Sequence, residues 1–347
     1  MVSLSNFNKT AVELTRFCRY SLSLFVVLTG VTFAADDSAS AELLRVNVYY
    51  ENDVLYLTDY GYTNGLKLAL LYEVESEGRF WFKLPFIDDA SKNHYMSFSV
   101  SQLVFTPRDI EYTFSDESDR PYAGLLYGSY ALYQSDEKEL DALELQMGVL
   151  GPSSYGSEVQ NFVHGLIGSP HVEGWDCQLQ DEFVFLLAYQ HKWRSIIEKS
   201  DDTTLEMIPY GGAAAGNMAV YANAGLMFRY GWNVPEDFGT TSIQGADETG
   251  IPALDKNEKV ELQNRWSSYF QLYIEGVGVA HNITLDGNSF SDEPSVEKEP
   301  FIGKFGFSYT VRYGHYHFSL ANINRTKVFK SQHGGYGYGS VVFSYIF

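Results

Sequence analysis

Ser340-Val341-Val342-Phe343-Ser344-Tyr345-Ile346-Phe347 closes the chain, and its reading decides the fold. Val341, Phe343, Tyr345 and Phe347 alternate with Ser340, Val342, Ser344 and Ile346. Successive side chains of a strand point to opposite faces, so this stretch presents one continuous apolar and aromatic face. The same alternation recurs upstream. Leu44, Val46, Val48 and Tyr50 interleave with Arg45, Asn47 and Tyr49, and Met96, Phe98 and Val100 with Ser97, Ser99 and Ser101. Leu143, Leu145, Met147 and Val149 interleave with Glu144, Gln146 and Gly148. Phe270, Leu272 and Ile274 stand against Gln271, Tyr273 and Glu275, and Tyr316, Phe318 and Leu320 against His317, Ser319 and Ala321. Segments 62–72, 122–133, 179–196, 204–216, 218–232 and 299–312 bring the expected count to twelve strands.

Aromatic residues make up 16% of the chain, yet its mean hydropathy is −0.18. A membrane β-barrel hides its apolar face in every second residue, so its average hydropathy looks soluble. Twelve is the even number that a single-chain bacterial barrel needs, and pairing the last strand with the first removes every open edge. A last strand ending on phenylalanine resembles the terminal signal that outer-membrane barrels present to their insertion machinery. A soluble β-sandwich also alternates, but the terminal Phe347, the even count and an export signal together favour the barrel. The expected fold is all-β, a twelve-stranded antiparallel transmembrane β-barrel with a short helix in an extracellular loop.

The export signal is residues 1–34. Lys9, Arg16 and Arg19 precede an apolar run from Tyr20 to Phe33, and Thr32-Phe33-Ala34 offers small residues for cleavage. Residues 35–347 are then one outer-membrane barrel domain. The formal net charge is −20, which argues against nucleic acid as a partner and suits divalent cations. Cys18 leaves with the signal, so Cys177 stands alone and no intrachain disulfide is expected.

Ser157 to Asp176 departs from the strand pattern. Val159, Phe162, Val163, Leu166 and Ile167 fall at helical spacing, with Gln160, Asn161 and His164 on the other side. Ser157 is placed to cap this helix, Glu158 suits its positive end, and Gly168-Ser169-Pro170 stops it. The expectation is a short helix that packs by its apolar stripe and presents His164. Trp175 reads as a membrane-interface anchor, and His171 as an exposed loop residue.

With both termini on the periplasmic side, connections after odd-numbered strands face outward. Three of them, 52–62, 107–121 and 151–178, are rich in polar groups and share a rim. The acidic stretch 233–265 then falls on the periplasmic side, where connections are usually short. Either the barrel carries an exception there or a strand is miscounted.

The polar segments read Glu51-Asn52-Asp53, Tyr62-Thr63-Asn64-Gly65, Asp119-Arg120-Pro121-Tyr122-Ala123-Gly124, Gly151-Pro152 and Glu158-Val159-Gln160-Asn161-x-x-His164-x-x-Ile167-Gly168. In this order they resemble the lipid A 3′-O-deacylase family of outer membranes, and the likeness runs from about residue 44 to 347. That resemblance implies a twelve-stranded barrel and calcium-dependent hydrolysis of the ester-linked 3′ acyloxyacyl chain of lipid A. The partners it implies are lipopolysaccharide and the surrounding outer-membrane lipids. His164 would be the base that activates water, Asp53 the Ca²⁺ ligand, and Asn52 and Thr63 hydrogen-bonding groups of the site.

Two departures stand out. The family's glutamate a few residues after the histidine falls near Ser169-Pro170, which leaves Glu173 as the nearest carboxylate. The family's lysine after the third strand is replaced by Arg108 and, at the corresponding offset, Tyr112. The residues alone also allow plainer readings. Asn52-Asp53 can make a turn, Thr63 can be an ordinary strand residue, and Asp119-Arg120 can be a local ion pair. Alternation puts Asn52 and Asp53 on opposite faces, so both serve one site only if the strand ends or bulges there. Two other functions fit such a barrel. One is an outer-membrane phospholipase A-like esterase, for which no G-x-S-x-G nucleophile motif is present. The other is a porin or surface-binding barrel.

Overall fold

The computed structural model describes residues 41–53, 61–75, 84–85, 87–108, 118–167, 172–255, 265–290 and 294–347. The expected export signal, and with it Cys18, lies outside them. Thirteen strand segments form one sheet. They are β1 (Ala41–Asn52), β2 (Gly61–Val74), β3 (Asn93–Thr106), β4 (Ala123–Ser135), β5 (Glu139–Leu150), β6 (Glu182–Trp193), β7 (Ser195–Lys199), β8 (Thr203–Ala215), β9 (Ala219–Trp232), β10 (Trp266–Asn282), β11 (Phe301–Tyr313), β12 (Tyr316–Arg325) and β13 (Tyr336–Ile346). β6 and β7 are one stave interrupted at Arg194, and both pair with β8. The barrel therefore has twelve staves, as the alternation predicts.

Closure is explicit in the register. β1 pairs antiparallel with β13, with Arg45 opposite Ile346 and Asn52 opposite Gly339. β6 pairs with β8, with Leu187 opposite Ala215. A sandwich has no such circuit. The faces are inverted relative to a soluble protein. Leu187, Tyr230, Phe270, Ile274, Phe305, Phe318 and Phe343 are exposed, while Asn47, Lys67, Glu144, Gln190, Lys192, Glu206 and Arg229 are buried inside. Apolar side chains outside meet lipid, so their exposure here carries no penalty. Trp193, Trp232, Trp266, Tyr313, Tyr316 and Phe347 cluster at the strand ends of one rim, where amphipathic rings favour the membrane–water boundary. That rim also carries the end of β13. The opposite rim carries the connections after β1, β3 and β5.

The lumen is filled, and the filler is the stretch that fitted badly. The strand count is right, and residues 233–255 turn back into the barrel instead of hanging below it. Phe238, Ile243, Asp247, Glu248, Thr249 and Ile251 are all buried. The segment is acidic because the wall it meets is basic. Lys67 Nζ lies 2.9 Å from Glu248, and Lys192 Nζ lies 2.6 Å from Asp247. At its root, Arg229 pairs with Glu206 and Asp237 and donates to the Pro235 carbonyl at 2.7 Å. Charges taken out of water hold only when paired with further hydrogen bonds. Asn47 Nδ2, Thr241 and Gln244 supply several of these.

Candidate active site at the loop rim

β1 ends at Asn52, which pairs with Asn64 of β2 and Gly339 of β13. Asp53 follows directly and is 0% exposed. The end of the strand removes the face conflict set by alternation, and both residues are buried at one rim. Across β2 the register slips between Tyr62 and Asn64, so Thr63 is the extra residue of a bulge. A bulge re-aims the side chain it carries. Thr63 Oγ1 lies 2.6 Å from Thr106 Oγ1, at the end of β3, and both are buried. Glu51 anchors the group from below. Its carboxylate accepts from Tyr62 Oη at 2.7 Å and from the Ile243 N–H of the lumen segment at 2.9 Å. This role of Glu51 escaped the sequence reading, and the E-N-D triplet was the signal that could have given it.

The loop helix α1 (Gly156–Ile167) packs against β3 and β4. It begins two residues earlier than a cap at Ser157 predicts, so Ser157 lies within the first turn and does not cap it. Gly124, from the D-R-P-Y-A-G motif, permits the approach. A Cβ there would overlap Ser154 Oγ and crowd the Gly156 backbone. Gln102 Nε2 of β3 donates to the Ser154 carbonyl at 2.6 Å and fixes the segment before the helix.

The helix buries Val159 of its apolar stripe, as expected, but it also buries its polar side. Gln160 and His164 are buried, His164 with 5% exposure, while Phe162 and Val163 are only half-buried. The reason is the inverted barrel, whose rim offers a polar surface below and an apolar medium around it. Trp175 is likewise no interface anchor. It is buried, packs at a tilt of 52° against Tyr122 at 5.2 Å between ring centroids, and donates Nε1–H to Gln160 Oε1 at 2.8 Å. Asn161 Oδ1 accepts the Val172 N–H at 2.8 Å, which ties the far end of the loop to the helix.

Asp119 accepts from the backbone N–H groups of Arg108 and Arg120, both at 2.7 Å. Arg120 itself is buried and reaches across the rim to Thr284 Oγ1 at 2.9 Å. It is therefore a rim brace and not half of a local ion pair. Glu173 is exposed, apart from the buried residues of the rim. Tyr112, Ser169, Pro170 and His171 lie outside the described residues. For calcium, a hard cation that takes six to eight oxygens, Asp53 is a suitable buried carboxylate. Among the described residues no group of three or more His, Cys, Asp or Glu side chains is placed to hold a metal ion.

Fold, register and aromatic rim define an outer-membrane β-barrel whose loop rim carries a buried polar cluster. The family model described as "Outer membrane protein LpxR" matches residues 21–347, and the chain belongs to that family, the lipid A 3′-O-deacylase family that its motifs resemble. Among solved structures it is similar to LpxR from Salmonella typhimurium, with a TM-score of 0.71 and 19% identity over 87% of this chain and 100% of that one. The β domain of the Bordetella autotransporter BrkA aligns at a TM-score of 0.42 with 9% identity, over 90% of this chain and 100% of that one. The KdgM porin aligns at 0.36 with 7% identity, over 88% and 99%. No curated protein matches the chain by sequence.

Proposed function

We propose that the protein is an outer-membrane esterase that hydrolyses the ester-linked 3′ acyloxyacyl chain of lipid A. The observation that carries this reading is the burial of Asn52, Asp53 and Thr63 at the outward ends of β1 and β2, the same rim at which the helix carrying the buried His164 packs on β3 and β4. In the proposed reaction, His164 takes a proton from water as the oxygen attacks the ester carbonyl carbon. Asn52 and Thr63 hydrogen-bond the polar atoms of the reacting ester, and a donor aimed at the developing oxyanion lowers the barrier most. The ester C–O bond then breaks, His164 returns the proton to the departing sugar oxygen, and a fatty acid and a free hydroxyl result.

Asp53 is the calcium ligand of this proposal. A bound cation would polarise the ester carbonyl. With fewer carboxylates than the family pattern, calcium is expected to bind weakly, and Glu173 is the nearest carboxylate to stand in for the family's glutamate. The lumen filled by 237–253 speaks against an open porin, and no described feature favours the phospholipase reading over the lipid A one.

The test is incubation of the refolded full chain with purified lipid A in detergent and calcium, followed by mass spectrometry of the lipid. Loss of one acyloxyacyl unit supports the proposal. Intact lipid A with released lysophospholipid from a parallel phospholipid sample would replace it with the alternative esterase.

A further inference from the structure

At the rim opposite the loop helix, a cavity of about 700 Å³ opens between the barrel wall and the root of the lumen segment. In the orientation usual for such barrels this is the periplasmic mouth. Arg45, Lys199, Arg265 and Arg312 line it, with Asp201, Asp202, Glu236 and Asp237. Most of these charges are committed to one another. Lys199 pairs with Glu236 at 3.2 Å, Arg265 with Asp202 at 3.5 Å, and Asp237 with Arg229. Asp237 Oδ1 also accepts the Gly239 N–H at 3.0 Å.

Arg45 lies beside Asp237, yet most of its guanidinium is not hydrogen-bonded. It is 3% exposed, and neither its Nε nor its Nη1 has a hydrogen-bond partner among the described residues. Gly250 of the lumen segment, at φ +74°, lies directly against this guanidinium, where any Cβ would overlap Nη1. A glycine so placed leaves the donors no side chain to bond. Arg312, half-buried on β11, is paired with no described carboxylate. A buried guanidinium with idle N–H donors is costly unless something accepts from it. Its planar fork matches an oxyanion.

We propose that Arg45 and Arg312 form an anion site at the terminal mouth of the barrel, taking a phosphate group. The site is separate from the loop rim and independent of the esterase reading. Phosphate can reach it as the free ion or as a phospholipid headgroup of the inner leaflet.

Isothermal titration of the refolded full chain in zwitterionic detergent with inorganic phosphate, at constant ionic strength against chloride, tests it. Saturable one-to-one binding is expected, with Kd raised about tenfold or more in Arg45→Gln and in Arg312→Gln. Arg265→Gln, an exposed mouth residue, should stay within about twofold, since surface pairs contribute little. Folding of each variant is checked by its heat-modifiable gel mobility, and Arg312→Gln carries the test if Arg45→Gln does not fold. Phosphate heats equal to chloride, or affinity unchanged in Arg312→Gln, would overturn the proposal. Repeating the titration in nanodiscs separates the two sources. Phosphate affinity that falls in phosphatidylglycerol discs relative to phosphatidylcholine discs identifies the headgroup, and equal affinity identifies the free ion.

Discussion

Glu51 accepts a hydrogen bond from the backbone N–H of Ile243 at 2.9 Å, across a sequence separation of 192 residues. The lumen segment thus ends its climb directly beneath Asn52 and Asp53. The filling of the barrel and the shape of the rim are one structure. Replacing Glu51 with Ala leaves the Tyr62 hydroxyl and the Ile243 amide without their acceptor. An unmet buried donor costs about 1–3 kcal/mol. Thermal unfolding should register that loss, and lipid A hydrolysis should fall with it as the end of β1 loosens.

Asn52→Ala removes a polar group at the end of β1 and leaves the strand intact. If Asn52 faces the oxyanion, kcat falls on the order of 10²-fold with little change in melting temperature, by analogy with other lost oxyanion donors. Initial rates at saturating lipid A measure it. A change confined to KM would assign Asn52 to binding instead.

Trp175→Phe keeps an aromatic ring against Tyr122 and deletes the Nε1–H bond to Gln160. The lost bond corresponds to about 1 kcal/mol. Helix α1 should become more susceptible to proteolysis between β5 and β6, while the barrel remains folded by gel mobility.

Lys192→Met strands Asp247 in the lumen. Removing one partner of a buried pair costs about 3–5 kcal/mol. Urea unfolding of the refolded barrel should show it. The double variant Lys192→Met with Asp247→Asn should recover part of the loss, because the uncompensated charge is gone.

Acid should loosen the same segment from its root. Burial raises the Asp237 carboxyl, but Arg229 and Arg45 beside it, with the hydrogen bonds from Arg229 and Gly239, hold it below the usual carboxylate range. A depressed folded-state value means the stabilisation is complete above the unfolded value, ~3.9, and is lost as pH falls below it. Melting temperature in Asp237→Asn should therefore lose part of the fall seen in the wild type below about pH 4.

Much of the barrel was legible because strand alternation is a local signal. Val341 to Phe347 and Leu44 to Tyr50 declare their two faces without reference to any neighbour. The positions of Asn52, Thr63 and His164 came from motif order; the first two lie at neighbouring strand ends and the third on a helix that packs on β3 and β4 at the same rim. What escaped was tertiary. Nothing local to Asp247 and Glu248 says that they meet Lys192 and Lys67 inside the barrel. Helical periodicity gave α1 its stripe, of which Val159 is buried, but not the burial of Gln160 and His164 beside it, which depends on the polar rim they meet. Trp175 was misread for the same reason, its partner Gln160 lying on another element.

The most direct measurement is mass spectrometry of lipid A from outer membranes that express the wild type or His164→Ala, with barrel folding verified in both. The account predicts that the wild type removes one acyloxyacyl unit and the variant leaves lipid A intact. Equal trimming by both would contradict the role of His164, and intact lipid A in both would contradict the esterase itself.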